Sequence, residues 1–334
     1  MNELYEKWKS LKRGIKNTTF EKYVYDYNKY VRNALGNRKI IYIKRTDIIR
    51  FCNNLVDENG LMPSTVAGII AVVRQILTLA VNDDLLNKNP ADSVVKDINA
   101  IHNDKRQKKC AMTKNEQDLF IEYLRNNKRY FHLYNIVAVM LGTGMRIGEV
   151  IGLRYCDVDL DKNYIDINHS LIYCRHQLDE KRKGYYFSVQ TPKTPTSIRK
   201  VPMMNFVRVA ILREKEFQEV TGRKCRVNID GYTDFIFLTR NGTPRIPENI
   251  NNSIDNAIRR FNKTNTGNDV ISHTTCHKFR HTFATRLYEA STNVKTIQSI
   301  MGHSSANVTL DVYTDISEEL KHEAVNGMAN LFSH

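Results

Sequence analysis

A short polar and cationic stretch, Asn103 to Lys109 (NDKRQKK), divides the 334-residue sequence into two parts that follow different patterns. The stretch has no hydrophobic periodicity, which is typical of a linker. Apolar residues before it recur at helical spacing, whereas helical and strand-like patterns alternate after it. A chain of this length also exceeds the usual size of one hydrophobic core. We therefore predict two domains, residues 1–100 and 112–334, joined by a basic linker at residues 101–111.

The amino-terminal part is predicted to be a small helical domain. Four segments have helical periodicity, namely Asn2 to Arg13, Thr18 to Leu35, Thr46 to Glu58 and Pro63 to Leu86. The last of them opens with Pro63 and Ser64, which suit the start of a helix, and carries a continuous apolar face. We expect this face to form the core of the domain, and Asn89 to Ala91 to end the helical region.

The second helical segment contains several tyrosines among basic residues. They are Tyr23, Tyr25, Tyr27 and Tyr30. Aromatic rings between cationic side chains could form a surface on which nucleic-acid bases stack. Packing of these rings in the core is the alternative, and it is the one that we favour.

The part after the linker is predicted to be mainly α-helical with a small β-sheet, which places the chain in the α+β class. Thr113 and Glu116 have the spacing of a capping box and predict a helix from Lys114 to Asn126. Further helices are expected at Leu133 to Leu141, after Gly144, and towards the end of the chain. Strands are expected at Tyr164 to Tyr173, Tyr185 to Gln190, Arg199 to Met203 and, before a turn at Asn241-Gly242, Phe235 to Leu238.

The formal net charge of +14 favours a polyanionic partner, because each neutralised phosphate releases counterions and so contributes binding free energy. Basic residues concentrate around the start of the third helical segment and in the linker. The candidate contacts to a DNA backbone are Arg38, Lys39, Lys44, Arg45, Arg50, Lys105 and Arg106. A basic linker between two basic domains would let the protein close around a duplex as a C-shaped clamp. A solvated charged surface is the alternative for these residues.

The composition argues against secreted, membrane and zinc-ribbon classes. The six cysteines stand singly, without the spacing of a disulfide scaffold or a zinc ribbon. The first thirteen residues are polar and charged, unlike a secretory signal, and no uninterrupted apolar run approaches the ~18 residues of a membrane span. We therefore expect a cytoplasmic protein without membrane contact.

Leu141 to Leu153 (LGTGMRIGEVIGL) is the first candidate for chemistry. Glycines and Thr143 break one helix and start another, with Arg146 expected in its first turn. Free backbone amides and a guanidinium at that position suit a phosphate group. A plain surface arginine is the alternative.

The second candidate is the helix that contains His277 to His281 (HKFRH). His277 and Arg280 are three residues apart, so that they project from neighbouring positions and can address one ligand. A metal site is the competing hypothesis, because His273, His277 and His281 would align as zinc ligands if one helix carried all three.

A third candidate follows the short amphipathic segment Val294 to Met301. Gly302 is suited to a left-handed helix cap, and it fixes the backbone at the point where His303 emerges. Tyr313 lies ten positions further on. Taken alone, one tyrosine among 17 would more often be structural.

Taken together and in order, these motifs resemble those of the tyrosine recombinases of the phage integrase family. The positions that carry the resemblance are Arg146 with Glu149, Lys193 in TPKT, His277 with Arg280 and His281, His303 in GHS, and Tyr313. The sequence around His281 to Ala290 and Ile300 to Asp315 is most similar to integrases of phages and conjugative transposons. The helical amino-terminal part resembles the core-binding, SAM-like domain of that family, so the resemblance covers nearly the whole chain.

The resemblance implies a mechanism without metal ion or nucleotide cofactor. Tyr313 would attack a DNA phosphate, form a 3'-phosphotyrosine and release a 5'-hydroxyl. Arg146, Arg280 and His303 would stabilise the transition state. His277 would accept the phenolic proton or donate to the phosphate, and Lys193, with Lys200 as the alternative, would protonate the leaving oxygen. Glu149 and His281 would support these groups without touching the phosphate.

The resemblance also implies partners. Double-stranded DNA is the expected substrate, and a homotetramer on paired sites is the expected assembly, with a helix at Ser317 to Leu331 exchanged between protomers. Packing of that helix on its own domain is the alternative. An excisionase or a host DNA-bending protein would be an additional partner.

Two other functions share some of these features. A type IB topoisomerase uses similar residues to relax supercoils, although the complete GHSS and tyrosine pattern argues against it. A catalytically silent DNA-binding accessory protein is disfavoured because every reacting residue type is present.

Overall fold

The computed structural model of the protein describes residues 1–101, 111–175, 184–192, 197–265, 269–290 and 292–302. These residues fall into two compact units, each with its own hydrophobic core. Unit 1 contains residues 1–101, together with 174–175 and 184–185; unit 2 contains the other described residues.

Unit 1 is entirely helical over residues 1–101. Its helices are α1 (Asn2–Leu11), α2 (Asn17–Asp26), α3 (Arg45–Asp57), α4 (Pro63–Asn82) and α5 (Val94–Ile101). A π-helical turn at Tyr27–Val31 continues α2, and a 3-10 turn at Ile40–Tyr42 precedes α3. The prediction of one helix from Thr18 to Leu35 was therefore wrong beyond Asp26, where the hydrogen-bond pattern changes.

The long helix α4 is the centre of unit 1. Pro63 occupies its first position, and eight of its side chains are buried, as its apolar face predicted. By length and composition α4 is apolar enough to cross a membrane. Its buried face lies in the core of unit 1, and Arg74 in its middle pairs with Asp92 at 2.7 Å. We conclude that α4 is a core helix.

Helix α5 was not predicted, because the helical region was expected to end at Asn89 to Ala91. Val94 and Ile98, one turn apart, are buried against the other helices, so this short helix completes the core. The core interpretation of the tyrosines is confirmed for Tyr27. Its ring is fully buried and stacks on Tyr5 at 3.6 Å.

Unit 2 is mainly helical with two small sheets, as predicted. Its helices are α6 (Lys114–Asn126), α7 (Phe131–Thr143), α8 (Ile147–Ile151), α9 (Asn205–Thr221), α10 (Pro247–Thr264), α11 (Cys276–Glu289) and α12 (Val294–Met301). The strands are β1 (Val158–Asp159), β2 (Tyr164–Ile167), β3 (Ser170–Arg175), β4 (Tyr185–Gln190) and β5 (Arg199–Pro202). The strand order is β1-β2-β5 in one sheet and β3-β4 in the other.

The predicted capping box at the start of α6 is confirmed. The Glu116 amide donates to Thr113 Oγ1 at 3.1 Å, and the Thr113 amide donates to the Glu116 carboxylate at 2.7 Å. These two bonds satisfy amides that a helix start leaves without partners, which explains why the predicted bounds of α6 are those observed.

Two of the predicted strands differ from the structure. The stretch Tyr164 to Tyr173 is broken at Asn168 and His169, because the buried His169 ring bonds the Gly152 carbonyl oxygen at 2.6 Å and turns the chain away from the sheet. Phe235 to Leu238 is buried but makes only isolated bridges, from Phe235 to Arg154 and from Leu238 to Pro244.

Helix α7 positions the candidate site. It is buried on nearly every side in the centre of unit 2 and packs against α6, α9 and α11. It ends at Gly144 in the left-handed conformation, φ 63°. A Cβ at Gly144 would lie 2.4 Å from the ring of Phe283 on α11. The turn therefore requires glycine both for its left-handed backbone and for the lack of space.

Candidate active site

Arg146 follows this turn and serves as the residue that caps α8, one position earlier than predicted. Its guanidinium donates to Glu149 Oε1 at 2.9 Å, and its backbone amide donates to Glu149 Oε2 at 2.9 Å. The Arg146 side chain is 43% exposed, whereas that of Glu149 is 6% exposed. Glu149 thus holds the base of Arg146 while the guanidinium keeps access to solvent.

Arg280 of α11 is buried, with 3% of its surface exposed. Its guanidinium donates to the Gly144 carbonyl oxygen at 2.6 Å and to the Met301 carbonyl oxygen at 2.5 Å. Burial, with the nearby charges of Arg146 and Arg199, lowers the pKa of Arg280 to about 9. The side chain therefore ties the turn after α7 to the end of α12 at a cost in desolvation.

Arg199, which the sequence analysis did not single out, joins the same group from β5. It donates to the two carboxylate oxygens of Glu149, at 3.2 and 2.9 Å, and to the Ile300 carbonyl oxygen at 2.7 Å. Side chains alternate between the two faces of a strand, and this alternation places Arg199 on the same buried face of β5 as Val201. The sequence pattern of β5 therefore indicated a buried arginine. An arginine at a core-facing position needs a buried partner.

We name Arg146, Arg199 and Arg280 around Glu149 the arginine cluster. Burial alone would raise the pKa of Glu149, but the hydrogen bond and charge of Arg199, with the charge of Arg146, outweigh it and lower that pKa below its ordinary value. Glu149 is therefore ionised at neutral pH. Three guanidinium charges against one carboxylate leave the arginine cluster doubly positive.

The carboxyl end of α12 is bound to the arginine cluster through three successive carbonyl groups. Ile300 accepts from Arg199, Met301 from Arg280, and Gly302 from Arg146 at 3.3 Å. Cations at this end of a helix also complement its dipole. The predicted glycine cap is confirmed, since Gly302 has φ 63°.

The two histidines of the motif lie on α11. His277 is exposed and His281 half-buried, with ring centroids 6.0 Å apart. Phe279 and Phe283, one turn apart on this helix, are buried. His273 precedes the helix and lies 3.4 Å from Asp255, so the single helix that the zinc hypothesis required does not exist.

Several predicted site residues fall outside the described residues: Lys193, His303, Tyr313, Lys105 and Arg106. The tail segment Ser317 to Leu331 and most of the linker do so too. The alternative acid, Lys200, is exposed on β5.

The basic residues proposed for DNA contact in unit 1, Arg38, Lys39, Lys44, Arg45 and Arg50, are all exposed. Two of them form intrachain ion pairs, Arg38 with Asp47 at 2.9 Å and Arg45 with Asp97 at 2.5 Å.

Comparison with known families gives the assignment. The model of the phage integrase family matches residues 111–319, and that of the phage integrase N-terminal SAM-like domain matches residues 1–56.

The chain belongs to the phage integrase family.

Relatives that align over most of the chain agree with this membership. The transposase from transposon Tn916 of Enterococcus faecalis is 32% identical to this integrase-family chain over 318 residues, which are 93% of the chain and 73% of the relative. A tyrosine recombinase XerC-like protein of Caldanaerobacter subterraneus is 26% identical over 340 residues, covering 99% and 83%. The chain is thus a tyrosine recombinase of the integrase type found in conjugative transposons, as the motifs indicated.

The fold agrees with solved structures of integrases. The Tn1549 transposon integrase in complex with transposon right end DNA has a TM-score of 0.82 and 28% sequence identity, with 98% of both chains covered. Lambda integrase bound to a core site has a TM-score of 0.63 at 16% identity, which extends the likeness of fold to a distant member.

Proposed function

We propose that this recombinase cleaves and rejoins double-stranded DNA through a 3'-phosphotyrosine on Tyr313, and so integrates or excises a mobile element. The observation that carries the proposal is the arginine cluster. Arg146 and Arg280 come from distant parts of the chain and donate to successive carbonyl oxygens at the end of α12, Arg146 to that of Gly302 and Arg280 to that of Met301. The Tn1549 complexes with transposon DNA support the choice of substrate.

The arginine cluster suits the chemistry of phosphoryl transfer. Attack on a phosphodiester adds negative charge to a group that is already an anion, and fixed cationic donors stabilise that charge. Arg146 presents its guanidinium to solvent, and Arg280 contributes charge from beneath. Removing one such donor typically costs ~3 to 4 kcal/mol in the barrier.

Proton transfer completes the step. The Tyr313 oxygen forms a bond to phosphorus as the bond from phosphorus to the 5'-oxygen breaks. His277 accepts the phenolic proton, because an ordinary phenol with a pKa of ~10 remains protonated at neutral pH. Lys193 gives a proton to the leaving 5'-oxygen. The reverse step, with the 5'-hydroxyl of another strand, reseals the DNA without loss of bond energy.

The proposed assembly follows from the reaction, because exchange of strands requires two DNA sites and several protomers. We infer a homotetramer coupled by the tail segment Ser317 to Leu331, acting in the bacterial cytosol on nucleoid DNA. An excisionase or a host DNA-bending protein would select between integration and excision.

A nicked duplex that releases a short strand on cleavage tests the proposal. The chain should form a covalent adduct with DNA that survives a denaturing gel. Tyr313→Phe should abolish the adduct and retain DNA binding, whereas Tyr164→Phe, the same change at an exposed tyrosine of β2, should leave the adduct unchanged.

An adduct with Tyr313→Phe, or none with the unaltered chain, would refute the proposal. Strand exchange between two duplexes separates recombination from the relaxing activity of a topoisomerase.

A further inference from the structure

We propose that Arg199 is a positioning residue of the recombinase: it binds Glu149 and the end of α12, and thereby keeps Arg146 free for the scissile phosphate and His303 in place. This inference rests on the proposed function. Arg199 does not itself touch the DNA in this hypothesis.

The contacts of Arg199 are those of a fixed side chain. Besides Glu149 and Ile300, it donates to the Ser197 carbonyl oxygen at 3.1 Å. Four hydrogen bonds therefore fix a side chain that is 5% exposed. A paired charge at such depth seldom stabilises a fold more than an apolar side chain of equal size would. Stability alone therefore gives little reason for an arginine at this position.

Neutralisation of Glu149 gives a functional reason. The carboxylate has two cationic partners, Arg146 and Arg199, and Arg199 contributes more to its low pKa. Without Arg199, a buried carboxylate would have Arg146 as its remaining partner and would draw that guanidinium inwards. The arginine cluster would also fall from two net positive charges to one. The phosphodiester with an attacking phenolate carries two negative charges, which the intact cluster matches.

Position of the backbone gives a second reason. A side chain at Gly302 would lie 3.0 to 3.2 Å from the Arg199 guanidinium and its last methylene group. Arg199 therefore packs directly on the left-handed residue that leads into His303. Through the bond to Ile300 and the packing on Gly302 it holds the end of α12, so that loss of Arg199 would loosen this end of the helix.

The test compares the unaltered chain with Arg199→Met and Arg199→Lys in single-turnover cleavage of the nicked duplex. Arg154→Met is the matched control, since Arg154 pairs with buried Asp157 in the same unit at 2.9 Å. Each protein is also given a duplex with a neutral methylphosphonate at the scissile position. That linkage lacks the negative charge of the phosphodiester and depends less on the arginine cluster.

We expect Arg199→Met to slow cleavage of the phosphodiester by ~100-fold or more, the typical effect of losing a preorganised donor. DNA affinity in a mobility-shift assay should change by less than about threefold, because the hypothesis gives Arg199 no contact with DNA. Cleavage of the methylphosphonate should slow much less, because only the loosened end of α12 then affects it. Arg199→Lys should lie between, because an ammonium keeps the charge but cannot bind Glu149 through a planar fork.

Equal losses on both substrates would overturn the inference, since a general folding defect would produce them, and so would unaltered cleavage of the phosphodiester. If Arg199→Met does not fold, the ratio of the two rates for Arg199→Lys decides the question. Failure of the unaltered chain to form any adduct would instead refute the proposed function.

Discussion

Gly302 can be tested against a second glycine of unit 2, Gly222, which also ends a helix in the left-handed conformation but has open space where a side chain would lie. Gly302 ends α12 with φ 63°, and Gly222 ends α9 with φ 64°. A Cβ at Gly222 would meet nothing within 4 Å, whereas one at Gly302 would lie 3.0 Å from Arg199 Nη1. The substitutions Gly222→Ala and Gly302→Ala thus share the backbone strain and differ in the contact.

The magnitudes follow from these surroundings. Placing alanine in the left-handed region costs ~1 to 2 kcal/mol at either site. At Gly302 the Arg199 guanidinium must also move by a few tenths of an ångström, and its four hydrogen bonds oppose that movement. Loss of one charged hydrogen bond adds ~1.5 to 3 kcal/mol. We therefore expect Gly302→Ala to lower the free energy of unfolding by ~2.5 to 5 kcal/mol in all.

Urea unfolding followed by far-ultraviolet circular dichroism measures both effects. Fluorescence is less suitable, because the single tryptophan, Trp8, lies in unit 1. Adduct formation on the nicked duplex provides the functional readout, which Gly302→Ala should reduce and Gly222→Ala should preserve. If Gly302→Ala and Gly222→Ala lost the same stability and cleaved equally well, the contact between Gly302 and Arg199 would contribute nothing to stability or cleavage.

Three further outcomes are expected. Thr113→Ala removes the acceptor for the Glu116 amide and should lower the free energy of unfolding by ~1 kcal/mol in urea titration. Burial raises the pKa of Glu214 above its ordinary 4.5, so the folded state loses stability as pH rises through the raised value and the carboxylate ionises. Glu214→Gln should therefore melt at a higher temperature than the unaltered chain above that pH, and the difference should shrink in acid. Lys44→Ala and Arg50→Ala, both exposed, should each lower the slope of log DNA affinity against log salt by ~0.9 if each contacts one phosphate.

The first two outcomes have control variants, and the third has a result that would contradict it. Thr46→Ala changes a threonine in the first turn of α3 that is not the cap, and a loss equal to that of Thr113→Ala would contradict the capping argument. Glu216→Gln alters an exposed carboxylate on the same helix and keeps Glu214, so it should not show the gain in melting temperature expected for Glu214→Gln. If the slope of log DNA affinity against log salt were unchanged in Lys44→Ala and in Arg50→Ala, neither residue would contact a DNA phosphate.

Local signals explain what the sequence predicted well. The capping box at Thr113 and the glycine after Met301 each satisfy backbone groups within one turn of helix, so a few neighbouring residues determine where α6 begins and α12 ends. Two of the motif residues, Arg146 and Arg280, lie together in the structure, at the carbonyl oxygens of Gly302 and Met301.

The features that escaped prediction depend on distant residues. The hydrogen-bond partners of Arg199 are Glu149 and Ile300, 50 and 101 positions away in the chain. The sequence of β5 alone does not indicate either partner. Helix α5 is too short to be stable by itself and forms because Val94 and Ile98 find an apolar surface. The break at His169 likewise depends on a bond to Gly152, 17 residues earlier.

The bond from Arg146 to Gly302 joins residues 156 positions apart. Contacts of such long range form only after most of the intervening chain has folded, because closing so long a loop costs entropy that local structure does not offset. A chain still emerging from the ribosome, with its amino-terminal helices already folded, therefore lacks an assembled arginine cluster. The arginine cluster is complete only when the final turn of α12 has joined it.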